Sequence, residues 1–227
     1  GVCSRRDADK LIEQGKVLVN GQVAGMGQQV EETDTVQVGK KILQGKQTQK
    51  VLAFYKPVGV TCTERDPHAE KKIMDMIRYP ERLTYAGRLD KDSEGLILLT
   101  NDGDLINAMM RGANRHEKEY IVKTDREITP DFLEKMAKGI YLKDLDITTR
   151  ECEIEQIGKF TFRIVLTQGV NRQIRRMCEA CGYRVKALKR IRIMNILLGD
   201  LKPGKWREVT GEELEQLQRD TGMLNRN

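Results

Sequence analysis

The segment Gly87–Gly95 (GRLDKDSEG) is the densest group of charged and polar side chains in the chain. Two glycines bound it ahead of an apolar run, which predicts a loop on a rigid scaffold, a common place for catalytic groups. Arg88 and Lys91 flank Asp90, and nearby positive charge favours the ionised form of a carboxylate. An ionised carboxylate can act as a nucleophile or as a base. The alternative is a charged surface turn, which composition alone favours.

The excess positive charge lies in one stretch, Asn171–Met194 (NRQIRRMCEACGYRVKALKRIRIM). Eight basic residues and one acid give this stretch a charge of +7, so the rest of the chain sums to −1. A local basic patch in a nearly neutral chain predicts contact with a phosphate backbone. A solvated helix face followed by an exposed strand is the alternative. If the stretch binds a polyanion, we expect it to face the same cleft as Asp90.

Residues 51–227 show the elements that must position these side chains. Strands are predicted at 51–55, 96–100, 120–123, 147–157, 160–167 and 184–198, and helices at 72–77, 102–110, 129–139, 171–181 and 212–219. Thr129-Pro130 is a helix start and Gly139 a helix stop. Because few strict strand–helix–strand alternations occur, we expect an α+β domain with a mixed, mostly antiparallel sheet.

Residues 1–43 read as a separate small unit. Ser4 and Asp7 resemble a capping box, apolar residues then recur at helical spacing, and Asn20-Gly21 predicts a two-residue hairpin. Three basic residues, Arg5, Arg6 and Lys10, lie at the start of the helix, where a phosphate could bind. A helix with surface charges packed on a hairpin is an equally good interpretation. Residues 44–50 are polar and predict a linker to the domain at 51–227.

Length and composition narrow the class of protein. The 227 residues are 39% hydrophobic and 33% charged, with a net charge of +6. No apolar run approaches the ~20 residues of a membrane helix, and no secretory signal is visible, so we exclude membrane, secreted and fibrous classes. Five scattered cysteines predict reduced thiols in a cytoplasm. The chain starts at Gly1 rather than Met, so we expect that the native beginning is missing.

Cofactor motifs are not found in the sequence. There is no Walker loop, no Gly-x-Gly-x-x-Gly and no paired metal-ligand spacing, so no cofactor and no metal are expected. Cys178 and Cys181 form a lone Cys-x-x-Cys, which we interpret as two small hydrophobic residues on a helix.

Several stretches, in order along the chain, together resemble the pseudouridine synthases of the RsuA family. They are Lys56-Pro57-Val58-Gly59, Gly87-Arg88-Leu89-Asp90 with Ser93-Glu94-Gly95-Leu96, Thr100-Asn101-Asp102-Gly103, Lys118-Glu119-Tyr120 and Gly169–Met177 (GVNRQIRRM). Ser4-Arg5-Arg6 and Val19-Asn20-Gly21 resemble the alpha-L RNA-binding domain of ribosomal protein S-four. That domain normally begins with another short helix, so the resemblance implies that it is truncated here.

The resemblance implies an enzyme that isomerises uridine to pseudouridine, with no redox change and no cofactor. Asp90 would be the essential carboxylate, Arg175 would pair with it through a planar guanidinium, and Tyr120 would stack on the extruded uracil. The alternative for Tyr120 is a core tyrosine of a strand. The resemblance leaves open whether Asp90 attacks the ribose, adds to the uracil ring or removes a ribose proton.

The implied partner is ribosomal RNA. The residues of the motifs are most similar to those of enzymes that act on the large ribosomal subunit, so 23S RNA is the expected substrate. We expect the protein to be a monomer, with no membrane association and no obligate protein partner. Predicted RNA contacts are Arg5, Arg6, Lys10, Arg88, Lys91, Asn171, Arg172, Gln173 and Arg176. Arg172 and Gln173 are the candidates to prise out the base or fill its space. The alternatives are an enzyme for 16S RNA or a tRNA anticodon loop, and an RNA-binding assembly factor without activity.

Overall fold

A computed structural model describes residues 3–31, 33–43, 48–63 and 70–224. Its internal contacts divide the chain into a first unit, residues 1–49 with 80–83, and a second unit, residues 50–79 with 84–227. The predicted linker at 44–50 falls partly on 44–47, outside the described residues. The predicted boundaries at 43 and 51 therefore stay predictions.

The first unit packs one helix on a small antiparallel sheet. Its elements are α1 (Arg5–Glu13), β1 (Val17–Val19), β2 (Gln22–Val23), β3 (Val36–Val38) and β4 (Lys41–Ile42), in the sheet order β2-β1-β3-β4. The Ser4 hydroxyl accepts a hydrogen bond from the Asp7 backbone N–H and begins α1. Asn20 and Gly21 have φ angles of 50° and 81°, which the predicted two-residue hairpin turn requires.

The second unit holds the longer elements. Its strands are β5 (Val51–Lys56), β6 (Thr84–Ala86), β7 (Glu94–Thr100), β8 (Lys118–Thr124), β9 (Tyr141–Leu142), β10 (Ile147–Thr148), β11 (Glu153–Gly158), β12 (Thr161–Leu166), β13 (Val185–Ile193), β14 (Ile196–Leu197) and β15 (Trp206–Glu208). Its helices are α2 (Ile73–Met76), α3 (Gly103–Met110), α4 (Pro130–Lys138), α5 (Gln173–Ala180) and α6 (Gly211–Asp220). Within the described ranges, no helix is long and apolar enough to cross a membrane.

One large sheet organises this unit. Its strand order is β11-β12-β8-β13-β7-β5-β15, with β14 added to β13 and β6 added to β7. Strands β7 and β13 run parallel, with Arg190 paired to Gly95. The other strand pairs that the structure describes in this sheet are antiparallel. The predicted α+β class with a mixed, mostly antiparallel sheet is confirmed.

Two strands predicted as continuous are broken, so those two predictions are wrong in detail. The stretch 184–198 folds back after Ile193, because Met194 adopts a φ of 53° and Ile193 pairs with Ile196. The stretch 147–157 is interrupted at Thr149, whose backbone N–H and side chain bond Ile140. In both places hydrogen bonds to residues distant in sequence accompany the break, because Thr149 bonds Ile140 and the Met194 N–H donates to the Glu117 carbonyl.

Two apolar clusters lie along the sheet. The first packs β5 and β7 against α3 and α6, and includes Ala53, Leu96, Leu98, Leu105 and Leu217. The second packs β8 and β12 against α4 and α5, and includes Val122, Phe132, Phe162, Ile164 and Met177. Strand β13 contributes to both clusters, through Ile193 to the first and Leu188 to the second. The adjacent strands β7, β13 and β8 are therefore held by packing and can support the loops at their ends.

Candidate active site

A cleft of about 520 Å³ lies beside the loop 87–93, which joins β6 to β7. Further lining comes from β8, β13, the segment before α5 and the first turn of α5, together with residues 61–63, Met110 and Leu166. The predicted site residues that border it are Asp90, Tyr120, Arg175, Arg88, Lys91, Asn171, Arg172 and Gln173. Arg5, Arg6 and Lys10 lie exposed on α1 of the first unit, and Arg176 pairs instead with Asp144.

Asp90 projects from this loop into the cleft with 34% of its side chain exposed. The Arg172 Nη1 atom lies 3.5 Å from Asp90 Oδ2. Arg172 binds Asp92 more closely, through Nη1 at 3.3 Å and Nη2 at 3.1 Å. The Asp90 carboxylate is therefore accessible to a ligand while a guanidinium stays beside it.

The expected pair of Arg175 with Asp90 is replaced by a contact with Asp92. Arg175 Nη2 lies 3.2 Å from an Asp92 carboxylate oxygen and donates to the Asp92 carbonyl at 3.1 Å and to the Ser93 hydroxyl at 3.2 Å. Partial burial would raise the pKa of Asp92, but the hydrogen bonds and charges of Arg172 and Arg175 outweigh it and lower that pKa. The turn at Lys91-Asp92 places the Asp92 carboxylate next to α5. Sequence spacing alone cannot tell whether Asp90 or Asp92 is the partner of Arg175.

Tyr120 lies in the middle of the wall that β8 forms. It is half-buried, packs against the second apolar cluster and pairs with Arg190 on β13 and Ile164 on β12. Its position on a packed strand fixes the ring, and the ring borders the cleft. Tyr120 is thus a strand tyrosine packed on the core, and because its ring borders the cleft, its stacking on a ligand stays a prediction.

A buried lysine supports the loop that carries Asp90. Lys56 is fully buried at the end of β5, and its Nζ donates to the carbonyls of Ser93 at 2.6 Å, Pro57 at 2.9 Å and Lys91 at 3.5 Å. Burial lowers the pKa of Lys56, although the charges of Cys62, Asp92 and Asp90 oppose this. A cation beneath the loop thus orders its backbone on both sides of Asp92.

Two further side chains hold the same loop. The Cys62 thiol donates to the Leu89 carbonyl at 3.1 Å and accepts from the Leu89 N–H at 3.3 Å. Arg190 donates from Nη1 to the Arg88 carbonyl at 3.4 Å. The backbone immediately before Asp90 is therefore fixed by side chains from two separate segments, which suits a group that must be held in one orientation.

The basic stretch does not form a single face, and that prediction needs correction. Arg172, Arg175 and Arg190 border the cleft with Asp90, as expected. Arg192 instead pairs with Glu119 at 2.6 Å and with Glu117 at 3.0 Å. Regular alternation would place Arg190 and Arg192 on one face, but the register of β13 against β8 shifts between them, so the two basic residues have different surroundings.

The start of α5 has a special backbone. Arg172 adopts a φ of 50°, and the helix begins at Gln173, later than the predicted 171. Gln173 is only 4% exposed, and its side chain accepts from the Val170 N–H at 3.2 Å. Gln173 thus closes the turn before α5, a structural role that the sequence pattern does not indicate.

The residues that sequence reasoning missed are Lys56, Cys62, Asp92, Lys118 and Arg190. Lys56 and Lys118 lie in quoted motifs, but nothing local shows what they contact. A lysine that ends an apolar strand is a usable signal for Lys56, because a buried cation needs nearby acceptors. Arg190 and Cys62 carry no such signal.

The arrangement can hold a flat ring against Tyr120 with a carboxylate and several cations around it. Comparison with known proteins agrees with this chemistry. A sequence model of the RNA pseudouridylate synthase family matches residues 50–180, and one of the S4 domain matches residues 1–36. The chain belongs to the RNA pseudouridine synthase family. The predicted membership of the RsuA family is confirmed, and the chain is an enzyme that isomerises uridine in RNA.

Curated relatives extend over most of the chain. The dual-specificity RNA pseudouridine synthase RluF of Escherichia coli strain K12 is 45% identical over 96% of this chain and 74% of its own length. The ribosomal large subunit pseudouridine synthase B of Pseudomonas aeruginosa is 33% identical over 98% of this chain and 60% of its own length. A pseudouridylate synthase crystal structure matches with a TM-score of 0.72 and 28% identity, covering 94% of both chains.

Proposed function

We propose that the chain isomerises a specific uridine in 23S ribosomal RNA, and that Asp90 is the essential carboxylate. The observation that carries this proposal is that Asp90, Tyr120 and Arg175, from a loop, a strand and a helix far apart in sequence, border one cleft. The large-subunit enzyme of Pseudomonas aeruginosa supports 23S RNA as the substrate.

Asp90 performs its role as an ionised group. Attack on the ribose, addition to the uracil ring and removal of a ribose proton all require a carboxylate anion with an accessible oxygen. The exposed fraction of Asp90 supports an accessible oxygen, and the guanidinium of Arg172 lies 3.5 Å from it. Arg175 acts through Asp92 and Ser93 as a positioning residue, because it holds the end of the loop rather than Asp90 itself.

The target base enters the cleft after it leaves the RNA stack. Unstacking costs a few kcal/mol, and a ring such as Tyr120 can recover part of this by stacking on the extruded uracil. Arg88, Lys91, Asn171 and Arg172, at the cleft, and Arg5, Arg6, Lys10 and Arg176 supply contacts to the RNA backbone in this proposal. Because such contacts release counterions, the Kd for RNA should rise steeply with added salt.

A second RNA substrate is the alternative that an observation favours. The Escherichia coli relatives carry the description dual-specificity, which supports action on more than one RNA. A non-catalytic assembly factor is less consistent with the site, since an exposed carboxylate in an RNA cleft repels phosphate.

The five cysteines, all free thiols, support the proposed cytoplasmic location.

The experiment is a map of pseudouridine in total RNA from cells with and without the gene. We expect a 23S site to disappear in the deletion and to return with the wild-type gene. Asp90→Asn should not restore it, whereas the exposed Asp104→Asn, a matched change on α3, should. Restoration by Asp90→Asn would overturn the role of Asp90, and a tRNA site lost alone would replace the 23S assignment.

A further inference from the structure

Arg190 has an unused hydrogen-bond donor at the cleft. The side chain is only 3% exposed, yet the residue borders the cleft. Its Nε donates to the Leu96 carbonyl at 2.7 Å and its Nη1 to the Arg88 carbonyl at 3.4 Å. Its Nη2 is buried without a hydrogen-bond partner among the described residues. A native buried donor of this kind calls for an explanation.

Lys118 is a second cation beside it. It borders the same cleft from β8, and its Nζ donates to the His116 carbonyl at 3.3 Å. Burial and then the positive charge of Arg190 lower the pKa of Lys118. In the part of the chain that the structure describes, neither Lys118 nor Arg190 forms an ion pair.

Two other arginines that border the cleft have a carboxylate partner, and Arg88, which also borders it, is exposed to solvent. Arg172 and Arg175 share Asp92, and the neighbouring strand position Arg192 has Glu119. An unpaired buried charge is unfavourable, so two adjacent cations without an acid favour a ligand that brings negative charge.

The position of the pair indicates which part of the substrate supplies that charge. Arg190 lies directly opposite Tyr120 in the β8–β13 ladder, so the two side chains share one face of the sheet. A uracil stacked on Tyr120 would place its edge next to Arg190. Since Arg190 is almost wholly buried, a base inserted into the cleft reaches it more readily than a phosphate, which stays on the RNA backbone.

We propose that Lys118 and Arg190 form the binding site for the uracil oxygens and stabilise the uracil as it leaves the ribose. This inference rests on the proposed function, because it requires a uridine in the cleft. It assigns catalytic roles to two residues that lie outside the predicted set of Asp90, Tyr120 and Arg175.

The chemistry balances without a further reactant. When the C1′–N1 bond breaks, its electron pair leaves with the uracil, and the negative charge spreads over N1 and the two ring oxygens. In the two routes that begin with this cleavage, C1′ either bonds to an Asp90 oxygen or forms a double bond to C2′ as Asp90 takes the 2′ proton. The rotated ring then bonds through C5 to C1′, either as the C1′–O bond to Asp90 breaks or as Asp90 returns its proton to C2′. The C5 proton is lost and N1 gains a proton, so Asp90 is again a carboxylate. Donors placed where charge develops lower the barrier to the first step.

The test compares Lys118→Met with Lys123→Met in the wild-type background. Lys123 lies exposed on the same strand, so it controls for loss of one lysine from β8. We expect Lys118→Met to slow the single-turnover rate roughly 10²-fold, the typical effect of losing one such donor, with an unchanged Kd for RNA. Lys118→Arg should keep most of the rate, because it keeps the charge.

An RNA with 5-fluorouridine at the target position gives a readout that a merely structural role would not move. Fluorine withdraws electrons and stabilises the leaving uracil anion, so the ratio of wild-type to Lys118→Met rates should shrink. The rate is followed as loss of the target nucleotide, because bond cleavage precedes any event at C5.

The following results would overturn the inference about Lys118 and Arg190. A raised Kd with a smaller salt slope and an unchanged rate would mean a phosphate contact. Equal losses in Lys118→Met and Lys118→Arg, or equal rate ratios for both bases, would mean a structural role. A wild-type protein without pseudouridine formation would instead refute the proposed function, so the two failures are distinguishable.

Discussion

Replacing Gly95 by alanine should unfold the junction of β7 and β13 selectively. Gly95 has a φ of +115°, and a Cβ there would lie 2.2 Å from the Arg190 carbonyl oxygen and 2.6 Å from its backbone nitrogen. The clash is with backbone, so no change of rotamer relieves it. The strands must separate where Arg190 pairs with Gly95.

The magnitude follows from two contributions. The unfavourable backbone conformation costs about 1–3 kcal/mol for a residue other than glycine. Separating the strands adds about 1–3 kcal/mol, typical of an overpacked site. The sum, about 2–6 kcal/mol, is a large part of the 5–15 kcal/mol by which a domain is usually stable.

Gly182→Ala is the matched control. Gly182 follows α5 with a φ of +79°, but its Cβ would meet nothing within 4 Å. The Gly182→Ala variant should lose about 1–2 kcal/mol of unfolding free energy, the cost of the left-handed backbone conformation alone.

The assay is urea unfolding of the intact chain, followed by circular dichroism and by the fluorescence of Trp206, which lies in the second unit. Gly95→Ala should lower the midpoint well beyond Gly182→Ala. The folded fraction should also lose activity, because Arg190 and the loop before Asp90 move with the strand. Equal midpoints for the two variants would refute the proposed close approach of β7 and β13.

Further predictions concern the carboxylates. Asp92→Asn should slow single turnover about tenfold, because Arg172 and Arg175 then hold the loop less firmly and the reacting groups are misplaced. The control Asp104→Asn should leave the rate unchanged. Equal rates for the two variants would exclude a positioning role for Asp92. Glu119→Gln should destabilise the fold by about 1–3 kcal/mol, because Glu119 accepts hydrogen bonds from Arg192 and Arg163. Partial burial would raise the pKa of Glu119, but these bonds outweigh it and lower that pKa. Glu119 therefore stabilises the fold fully at a pH above its unfolded-state pKa of about 4.3, and this stabilisation is lost as the pH falls below that value. A wild-type-minus-variant difference in unfolding free energy that grew below pH 4 would contradict this.

Local signals predicted much of the fold. Asn20-Gly21 makes its turn, and Thr129, Pro130 and Gly139 bound α4, because these residues determine backbone angles within one or two positions. The broken strands at Thr149 and Met194 escaped prediction, since their β-propensity is overridden by contacts with residues outside the window.

The sequence by itself determined the family, the two-part organisation of its motifs and the loop that carries Asp90, because these depend on residue types in order along the chain. Tertiary structure alone decided that Arg175 binds Asp92 rather than Asp90, and that Arg190 is buried opposite Tyr120. These contacts join residues 70 or more positions apart. They depend on strand register and on which of two neighbouring carboxylates a turn presents, and neither is encoded by local spacing.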